Sequence, residues 1–272
     1  MNKSDFGKFL KTVLPGMGYN WTRFDRRNIR RRIRSRMEAL RIYELEKYAQ
    51  TVLSDPSEQT ALDSLLKLTI TRFFRNSWLW SDLGTTIPGI AGMLGNDEPL
   101  AIWSAGCAGG EEPFSLAMLM DDLQRTGKLS HPWHILGTDT DKAVWQRTLE
   151  GKYKRGTIRE VPRHLLERWF REDAGGWILA QEVRNLVEFR RHDLLTADAP
   201  GRFHMVFLRN SILTYNTVEM QRRVLEHIYH CLLDPGYLII GRTERLPESV
   251  GFEQISRCVY RLIQDSKFKI QE

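Results

Sequence analysis

The sequence lacks the long apolar stretches and the paired cysteines that mark membrane proteins and disulfide-bonded proteins. None of its apolar runs approaches the roughly 20 residues that a membrane-spanning helix needs. The opening residues, MNKSDFGKFL, contain no apolar signal core. Cysteine occurs three times and never as CxxC, which predicts reduced thiols. We therefore expect a cytoplasmic protein with no segment inserted in a membrane.

The composition is that of a globular protein, but the positive charge is unevenly distributed. Hydrophobic residues make up 42% and charged residues 27% of the 272 residues, a length that predicts one large or two unequal domains. The net charge is +6. Residues 23–41 contain nine arginines against two acidic residues, Asp25 and Glu38. This concentration predicts a strongly cationic surface in the first part of the chain.

Residues 1 to about 90 have the apolar spacing of helices. Ile29, Ile33, Met37 and Leu40 share one helical face, and the arginines between them lie largely on the other faces. Further helices are predicted over residues 44–53 and from about residue 58 to residue 80. Residues 87–99 have the Pro and Gly content of a linker, which predicts a domain boundary after residue 86.

Beyond the predicted linker, short apolar runs alternate with helical patterns. This alternation predicts βαβ units, with a parallel sheet covered by helices on both faces. The predicted strands cover residues 100–104, 134–137, 203–208 and 237–240, and the predicted helices cover residues 113–123, 142–149 and 218–233. Extended segments at 177–179 and 186–190, after a turn at 173–176, predict a small antiparallel addition.

The first predicted strand runs into a glycine-rich stretch, WSAGCAGGEEPFS, that predicts a ligand site. Ligands of open α/β sheets bind beyond the carboxyl ends of the strands, and glycine permits close approach to the backbone. Glu111 and Glu112 would repel a pyrophosphate and favour a cation. S-adenosylmethionine fits, because it carries a sulfonium and an ammonium group and no phosphate. Asp139, in GTDTD after the second strand, is placed to accept both ribose hydroxyls; the alternative is a tight turn with helix-capping glutamates.

Five segments, in order along the chain, resemble motifs of the chemotaxis receptor methyltransferases, the CheR family. Five ordered motifs are more specific than any one of them, and they span nearly the whole chain. The segments are LTITRFFR (68–75) for NxTxFFR, WSAGCAGGEEPFS for the nucleotide loop, GTDTD for the second-strand acid, FLRNSILTYN (207–216) for FCRNVxIYF and LLDPGYLIIG (232–241) for LKPGGxLxxG. The arginine-rich helix lies where this family has a basic N-terminal helix.

The resemblance implies a fold and an activity. It implies a small all-α N-terminal domain over residues 1–86, then a Rossmann-like class I methyltransferase domain dependent on S-adenosylmethionine over residues 87–272. A small antiparallel β-subdomain is implied as an insertion at about 175–191. The implied reaction transfers a methyl group from S-adenosylmethionine to glutamate side chains of chemoreceptors and leaves S-adenosylhomocysteine.

The resemblance also implies roles for individual residues. Catalytic roles are implied for Arg75, Thr214 and Tyr215. The implied cofactor-binding residues are Thr69, Thr71, Arg75, Gly106, Glu112, Asp139, Asp193, Leu194, Asn210 and Ser211. The implied docking residues for the receptor are Arg27, Arg30, Arg31 and Arg34. Three positions depart from the family: Thr69 and Asp193 replace asparagines, and Thr214 replaces a tyrosine, with Tyr215 one place later.

The implied partner is the acidic, helical cytoplasmic region of a chemoreceptor. The arginines could instead bind nucleic acid or form a plain solvated face, but no base-stacking aromatic array accompanies them, so we expect no nucleic acid. Some family members bind a receptor pentapeptide on the β-subdomain; the compact turn at 173–176 leaves little room, so we expect no such tether. A monomer is expected.

Other readings of the sequence stay open. The spacing of His227, His230 and Cys231 would suit a metal, but an ordinary helix explains it, and no metal is expected. Cys107 has no evident partner base and is not expected to be a nucleophile. A methyltransferase of this fold could act on another protein or a small molecule, and a protein with altered catalytic residues could be a sensor or scaffold that only binds the cofactor.

Overall fold

The chain forms two compact units in a computed structural model that describes residues 2–66, 71–95, 97–248 and 251–263. The first unit comprises Met1–Thr69 together with Ser211–Gln221, and the second comprises Ile70–Asn210 together with Arg222–Glu272. The described α-helices are α1 (Lys3–Val13), α2 (Arg27–Ala39), α3 (Leu45–Ser54), α4 (Pro56–Leu66), α5 (Ser77–Ala91), α6 (Glu111–Arg125), α7 (Lys142–Glu150), α8 (Arg163–Trp169), α9 (Gln181–Arg184), α10 (Ile212–Tyr215) and α11 (Val218–Cys231). The described strands are β1 (Leu100–Ala105), β2 (Trp133–Asp139), β3 (Lys152–Tyr153), β4 (Phe170–Asp173), β5 (Gly176–Leu179), β6 (Val187–Arg191), β7 (Phe203–Leu208), β8 (Leu232–Ile240), β9 (Phe252–Gln254) and β10 (Val259–Leu262).

The first unit is a helical domain with its own apolar core. The predicted apolar face of α2 is confirmed, because Ile29, Ile33 and Met37 are buried. The buried carboxylate of Glu58 in α4 accepts hydrogen bonds from the Tyr48 hydroxyl at 2.7 Å and from Arg36 Nη2 at 2.6 Å. This carboxylate therefore joins α2, α3 and α4.

The prediction of one helix from about residue 58 to residue 80 is wrong. Helix α4 ends at Leu66, and α5 begins only at Ser77. The backbone amide of Phe73 donates to the Thr157 carbonyl at 3.0 Å, and that of Phe74 donates to Ser115 Oγ at 3.0 Å. Because these amides donate to distant residues rather than to carbonyls four residues earlier, the FFR motif forms a turn rather than a helix.

The predicted linker at 87–99 is also corrected in its first part. Helix α5 continues to Ala91, and its residues Ile87 and Ile90 are buried in the core of the second unit. The apolar period thus persists through Pro88, which the sequence analysis placed in the linker. The compact units divide between residues 69 and 70, whereas the boundary predicted after residue 86 lies inside α5.

The second unit contains the predicted, mostly parallel sheet. Its strand order is β6-β2-β1-β7-β8-β10-β9. The first five of these strands are parallel, while β10 is antiparallel to β8 and β9 is antiparallel to β10. Strand β1 has β2 on one side and β7 on the other, so the direction of winding reverses at β1. The carboxyl ends of β1 and β7 therefore flank the crevice in which such sheets bind ligands.

The antiparallel addition is present, but its predicted range of 175–191 is corrected. A three-stranded antiparallel sheet has the order β3-β5-β4 and lies between residues 152 and 179. Strand β6 instead pairs in parallel with β2 at the edge of the large sheet. Val187 is buried, and the Phe189 ring lies 5.2 Å from the Phe114 ring of α6, so apolar packing holds β6 on the large sheet.

Two further features bear on the sequence analysis. No helix among the described residues is long and apolar enough to span a bilayer. Helix α11 carries the His227, His230 and Cys231 spacing; the Cys231 thiol is buried and donates to the Ile228 carbonyl at 3.2 Å. Burial raises the pKa of Cys231 to about 12, so this thiol stays protonated.

Candidate functional site

The loop that joins β1 to α6 is bonded to the end of β2. The backbone amides of Gly106 and Cys107 donate to the Thr138 carbonyl at 2.8 and 2.9 Å. Gly106 and Gly110 have φ of 78° and 85°, left-handed values that suit glycine. Ala108 is also left-handed, with φ of 49°. At Ala108, contacts with neighbouring residues rather than backbone preference therefore maintain the shape of the loop.

Asp139 lies at the carboxyl end of β2 and holds this loop. Its Oδ2 accepts from the Ala108 amide at 2.9 Å, and its Oδ1 accepts from the Asp141 amide at 3.0 Å. The residue is half-buried. A carboxylate offers about four acceptor sites, so two remain for other donors. A fixed, partly exposed carboxylate with spare acceptors fits the ribose hydroxyls predicted for this position.

Asp193 and Leu194 follow β6 at the same edge of the sheet. Asp193 Oδ1 accepts from the Leu195 amide at 2.9 Å and closes a local turn, and both Asp193 and Leu194 are half-buried. The preceding residue, His192, donates its backbone amide to the Asp139 carbonyl at 3.2 Å. The proposed adenine-side pair is thus joined to the proposed ribose acid through the backbone.

Glu112, at the start of α6, is paired inside the protein. Its Oε2 accepts from Arg209 Nη1 at 2.7 Å, and its Oε1 accepts from Ser104 Oγ at 2.8 Å. Arg209 was not among the predicted site residues. The sequence analysis treated Glu112 as an unpaired negative charge, whereas Arg209 offsets that charge. Both the unpaired and the paired state of Glu112 are compatible with binding a cationic ligand, since a carboxylate held by Arg209 still accepts from an ammonium group.

Glu111 is almost completely buried and does not act as an exposed charge either. A Cβ at Gly109 would clash with its carboxylate, so the glutamate fills the space that a bare glycine loop would leave to a phosphate. Burial raises the pKa of Glu111 to about 7, against smaller lowering effects of its own backbone amide and of Arg147. Burial, with Asp139 and Glu112 nearby, raises the pKa of the Cys107 thiol well above its usual range, which leaves it unsuited to nucleophilic attack.

Arg75 lies in a strained turn that hydrogen bonds from Trp80 and Arg209 and to Glu160 hold. Phe74 and Asn76 have φ of 51° and 68°, each a conformation that costs a non-glycine residue about 1–3 kcal/mol. The Arg75 carbonyl accepts from Trp80 Nε1 and from Arg209 Nη2, each at 3.0 Å. The Asn76 amide donates to Glu160 Oε2 at 2.9 Å. Such strain, held by surrounding contacts, is typical of functional turns.

The other predicted residues of the NxTxFFR segment have different outcomes. Thr71 is half-buried in the second unit. Thr69 lies outside the described residues.

Asn210 follows β7 and is held by a buried glutamate. Asn210 has φ of 55°, and its amide donates to Glu244 Oε2 at 3.0 Å. The same oxygen accepts from the Gly241 amide at 2.6 Å, and Glu244 is 3% exposed. The sequence analysis missed Glu244, although an acid four residues after the buried strand β8 is a signal that could have identified it.

The remaining predicted site residues belong to the first unit. Ser211 follows Asn210, and its Oγ is buried with no hydrogen-bond partner among the described residues. Thr214 is half-buried in α10. The Tyr215 ring packs 5.4 Å from the Phe24 ring, with the Arg26 guanidinium 5.8 Å from its centre. Tyr215 therefore packs in the helical unit.

The predicted docking arginines fall into two groups on α2. Arg30 is half-buried, pairs with Asp25 at 2.9 Å and lies 5.0 Å from the centre of the Phe6 ring. Arg27, Arg31 and Arg34 are exposed and form no ion pair within the described residues. Their i, i+4, i+7 spacing places them in one stripe along the helix, which we call the arginine stripe.

Within the second unit, the site lies at the carboxyl ends of neighbouring parallel strands. It combines the loop after β1 with Glu112, Asp139, Asp193, Arg75 and Asn210. These groups suit S-adenosylmethionine: carboxylates can accept from the ribose hydroxyls and the ammonium group, and an arginine can donate to a carboxylate. Sequence reasoning missed Ser104, Arg209 and Glu244, which position these residues.

Comparisons with known proteins agree with this geometry. Residues 69–260 match the family described as CheR methyltransferase, SAM binding domain. A chemotaxis protein methyltransferase of Listeria innocua is 28% identical over 95% of this chain and 97% of its own length. Chemotaxis protein methyltransferase 1 of Pseudomonas aeruginosa is 34% identical over 62% of this chain and 64% of its own length.

The chain also resembles part of a larger protein. An uncharacterised 104.1 kDa protein of Rhodobacter capsulatus is 29% identical over 80% of this chain. The matched part makes up 23% of the length of that protein. The family match spans more than half of the chain and includes the glycine loop, Asp139 and Asn210. This chain belongs to the CheR methyltransferase family, and its cofactor is S-adenosylmethionine.

Proposed function

We propose that this protein transfers the methyl group of S-adenosylmethionine to glutamate side chains of chemoreceptors. The family supports methyl transfer, and the printed names of the Listeria and Pseudomonas relatives support a role in chemotaxis. The substrate part of the proposal is carried by one observation: the exposed arginine stripe of Arg27, Arg31 and Arg34 on α2. A cationic stripe on a helix suits an acidic helical partner, which it would attract through complementary charge.

The chemistry asks little of the protein beyond positioning. A glutamate carboxylate has a reference pKa of about 4.3 and is therefore ionised at neutral pH. When bound, the cofactor supplies an electrophilic methyl group on a sulfonium. The carboxylate needs no general base, so no described residue has to move a proton. Orientation and proximity alone can contribute roughly 7–11 kcal/mol to lowering a barrier.

The described residues divide the positioning between them. Asp139 would hold the ribose and Glu112 the ammonium group, and Asp193 and Leu194 would border the adenine. Arg75 would orient a carboxylate, either that of the cofactor or that of the incoming glutamate. Thr214 keeps a hydroxyl where the family has a tyrosine, on a shorter arm. We therefore expect a competent but slower enzyme, since attack by an ionised carboxylate survives the loss of an orienting hydroxyl.

Mass spectrometry of receptor cytoplasmic fragments, after incubation with the protein and S-adenosylmethionine, tests the proposal. The expected result is a gain of one methyl group on particular glutamates, absent when the cofactor is omitted. Tandem fragmentation would place the modification on glutamate rather than on lysine or arginine. A preparation that methylates other proteins or small molecules but no receptor fragment would favour a different substrate. Cofactor binding without transfer to anything offered would favour the sensor or scaffold.

A further inference from the structure

Three exposed arginines lie together at the carboxyl end of β8. The turn directly after this strand contains Arg242 and Arg245. The Ile240 amide, at the end of β8, donates to the Cys258 carbonyl at 2.9 Å, which places Arg257 beside the same turn. All three arginines are exposed and belong to the second unit. We call Arg242, Arg245 and Arg257 the arginine rim.

The arginine rim borders the end of the sheet that contains the cofactor site. A Cβ at Gly241, where the rim begins, would lie 2.6 Å from the side-chain nitrogen of Asn210, so the backbone there packs against a predicted cofactor residue. On the other side, the Arg257 guanidinium lies 5.4 Å from the centre of the Trp78 ring. Trp78 is in the first turn of α5, directly after the strained turn at residues 74–76. The rim therefore lies between two segments of the site.

The charge of the arginine rim is not neutralised within the described residues. None of its three guanidinium groups forms an ion pair there, and Arg245 Nη1 donates instead to the Glu244 carbonyl at 2.7 Å. By contrast, Arg261 on β10 pairs with Glu253 at 2.8 Å. Like charges placed together repel one another. A cluster of this kind is therefore favoured when a partner brings the opposite charge.

Arg257 is also held in an orientation that suits binding. Trp78 is half-buried and packs on the core of the second unit, so the ring beneath the guanidinium is fixed. Stacking on an aromatic face leaves the N–H donors at the edge of the guanidinium plane for other groups. A fork of donors held in this way matches a carboxylate, which it can bind through two parallel hydrogen bonds.

We propose that the arginine rim binds acidic side chains that flank the methylated glutamate in the substrate. The inference rests on the proposed function and deepens it, because it names the feature of the substrate that the catalytic unit recognises. The rim touches no reacting atom. Its contribution is to substrate binding, and it is a docking surface separate from the arginine stripe on α2.

Steady-state methylation of two receptor cytoplasmic fragments tests the arginine rim. Joint replacement of Arg242, Arg245 and Arg257 by Gln should lower kcat/KM for the natural fragment roughly 3- to 100-fold, chiefly through KM. In the second fragment, the acids within one helical turn of the methylated glutamates are replaced by Gln. The wild type should lose a similar factor on this fragment, whereas the rim variant should lose little more, because the two changes remove the same contacts.

Three controls identify the arginine rim as the cause. Calorimetry with S-adenosylhomocysteine should show less than about a twofold change in the rim variant, which also reports that it is folded. Joint replacement of Lys128, Arg202 and Arg261 by Gln removes the same charge from exposed sites, and this variant should keep the wild-type KM. A protein whose arginine stripe is changed to Glu should still lose activity on the second fragment, because its rim is intact.

The outcomes separate the inference from the proposed function. A rim variant with the wild-type KM, or one that loses as much on the second fragment as the wild type does, would overturn the inference and leave the proposed function in place. Weaker binding of S-adenosylhomocysteine in a folded rim variant would assign the rim to the cofactor and overturn it as well. Failure of the wild type to methylate either fragment would overturn the inference and the proposed function together.

Discussion

The carboxylate of Asp139 accepts a hydrogen bond from the backbone amide of Ala108 at 2.9 Å, so the acid at the end of β2 also holds the loop after β1. Ala108 is left-handed, and this bond is one of the contacts that keep it so. The residue proposed to bind ribose is therefore also a structural clamp. Any substitution at Asp139 changes both functions, and an experiment on this residue has to separate them.

Replacing Asp139 by Ala should weaken binding of S-adenosylhomocysteine. Loss of a charged acceptor costs roughly 1.5–3 kcal/mol, or about 10- to 150-fold in affinity. Calorimetry with deoxyribose analogues of the ligand isolates the ribose part. The wild type should prefer the ligand with both hydroxyls, and Asp139→Ala should lose that preference. An Asp139→Ala protein that still discriminates between the analogues would assign the ribose to another residue; Asp198→Ala, at an exposed site, is the control.

Reversing the arginine stripe should weaken receptor methylation and spare cofactor binding. The triple change of Arg27, Arg31 and Arg34 to Glu should lower kcat/KM for a receptor fragment roughly 10- to 100-fold. Wild-type activity should also fall with added salt, since exposed charges are screened over about 10 Å at 0.1 M. A rate insensitive to both changes would rule out α2 as the docking helix.

A matched control uses three exposed cations that lie outside the stripe. Lys47, Lys128 and Arg223 are exposed, and their joint replacement by Glu changes the net charge by the same amount. This control should retain most of the wild-type rate. Arg30→Gln should behave differently from the stripe, because Arg30 pairs with Asp25 and packs on Phe6; the expected effect is on stability.

The buried carboxyl of Glu111 predicts a pH dependence of stability. Burial raises its pKa to about 7 in the folded protein, whereas an unfolded glutamate titrates near 4.3. The folded state therefore keeps this proton to a higher pH than the unfolded state does. The contribution of Glu111 to the free energy of unfolding is fully present below about pH 4.3 and is lost as the pH rises to about 7. The size of the loss is about 2–4 kcal/mol, from the shift in pKa.

Denaturant unfolding at several pH values measures this effect. Replacing Glu111 by Gln should flatten the decline in unfolding free energy between about pH 4.3 and pH 7. Glu46→Gln, at an exposed position of α3, should leave the decline as it is in the wild type. A Glu111→Gln protein with an unchanged pH profile would contradict the burial argument.

The position of Tyr215 predicts which hydroxyl matters for the rate. Its ring packs against Phe24 beneath Arg26, a role that Phe can fill. Tyr215→Phe should therefore leave kcat nearly unchanged, while Thr214→Ala should lower kcat by up to about 100-fold, the lower end of the range for acid–base groups. Steady-state kinetics with a receptor fragment distinguishes the two. A large loss in Tyr215→Phe would return the orienting role to Tyr215.

The small antiparallel sheet predicts an absence of pentapeptide binding. Its hairpin turns compactly after Asp173, and its two edge strands, β3 and β4, have only two and four residues, which leaves little edge for an added strand. Calorimetry with a receptor C-terminal pentapeptide should show no binding. Micromolar binding that maps to residues 152–179 would contradict this prediction.

The sequence predicted the parts of the fold that depend on local pattern. The alternation of apolar runs and helices located β1, β2, β7 and β8, and the acid of GTDTD located the end of β2. The helix predicted across residues 71–76 was wrong, because the amides of Phe73 and Phe74 bond to Thr157 and Ser115, both far along the chain. Local periodicity contains no information about such partners.

The site was predictable where a motif names the residue, and less so where one residue positions another. Glu112 and Asp139 were identified from their place after a strand. Arg209 and Glu244 were missed, because each acts through a residue that is distant in the sequence. Arg209 bonds to Glu112, 97 residues away, and Glu244 bonds to Asn210, 34 residues away. Strand β6 was assigned to the small sheet for the same reason, since its pairing with β2 is not local.

Transfer of a radiolabelled methyl group from S-adenosylmethionine to a receptor cytoplasmic fragment, followed by mild base, tests the central claim most directly. Glutamyl methyl esters hydrolyse in base and release methanol, whereas methyl groups on nitrogen do not. The account predicts that label enters the fragment with wild-type protein, leaves it as volatile methanol, and enters far less with the reversed arginine stripe. A preparation that binds S-adenosylhomocysteine normally but incorporates no label, or only label that resists base, would contradict the account.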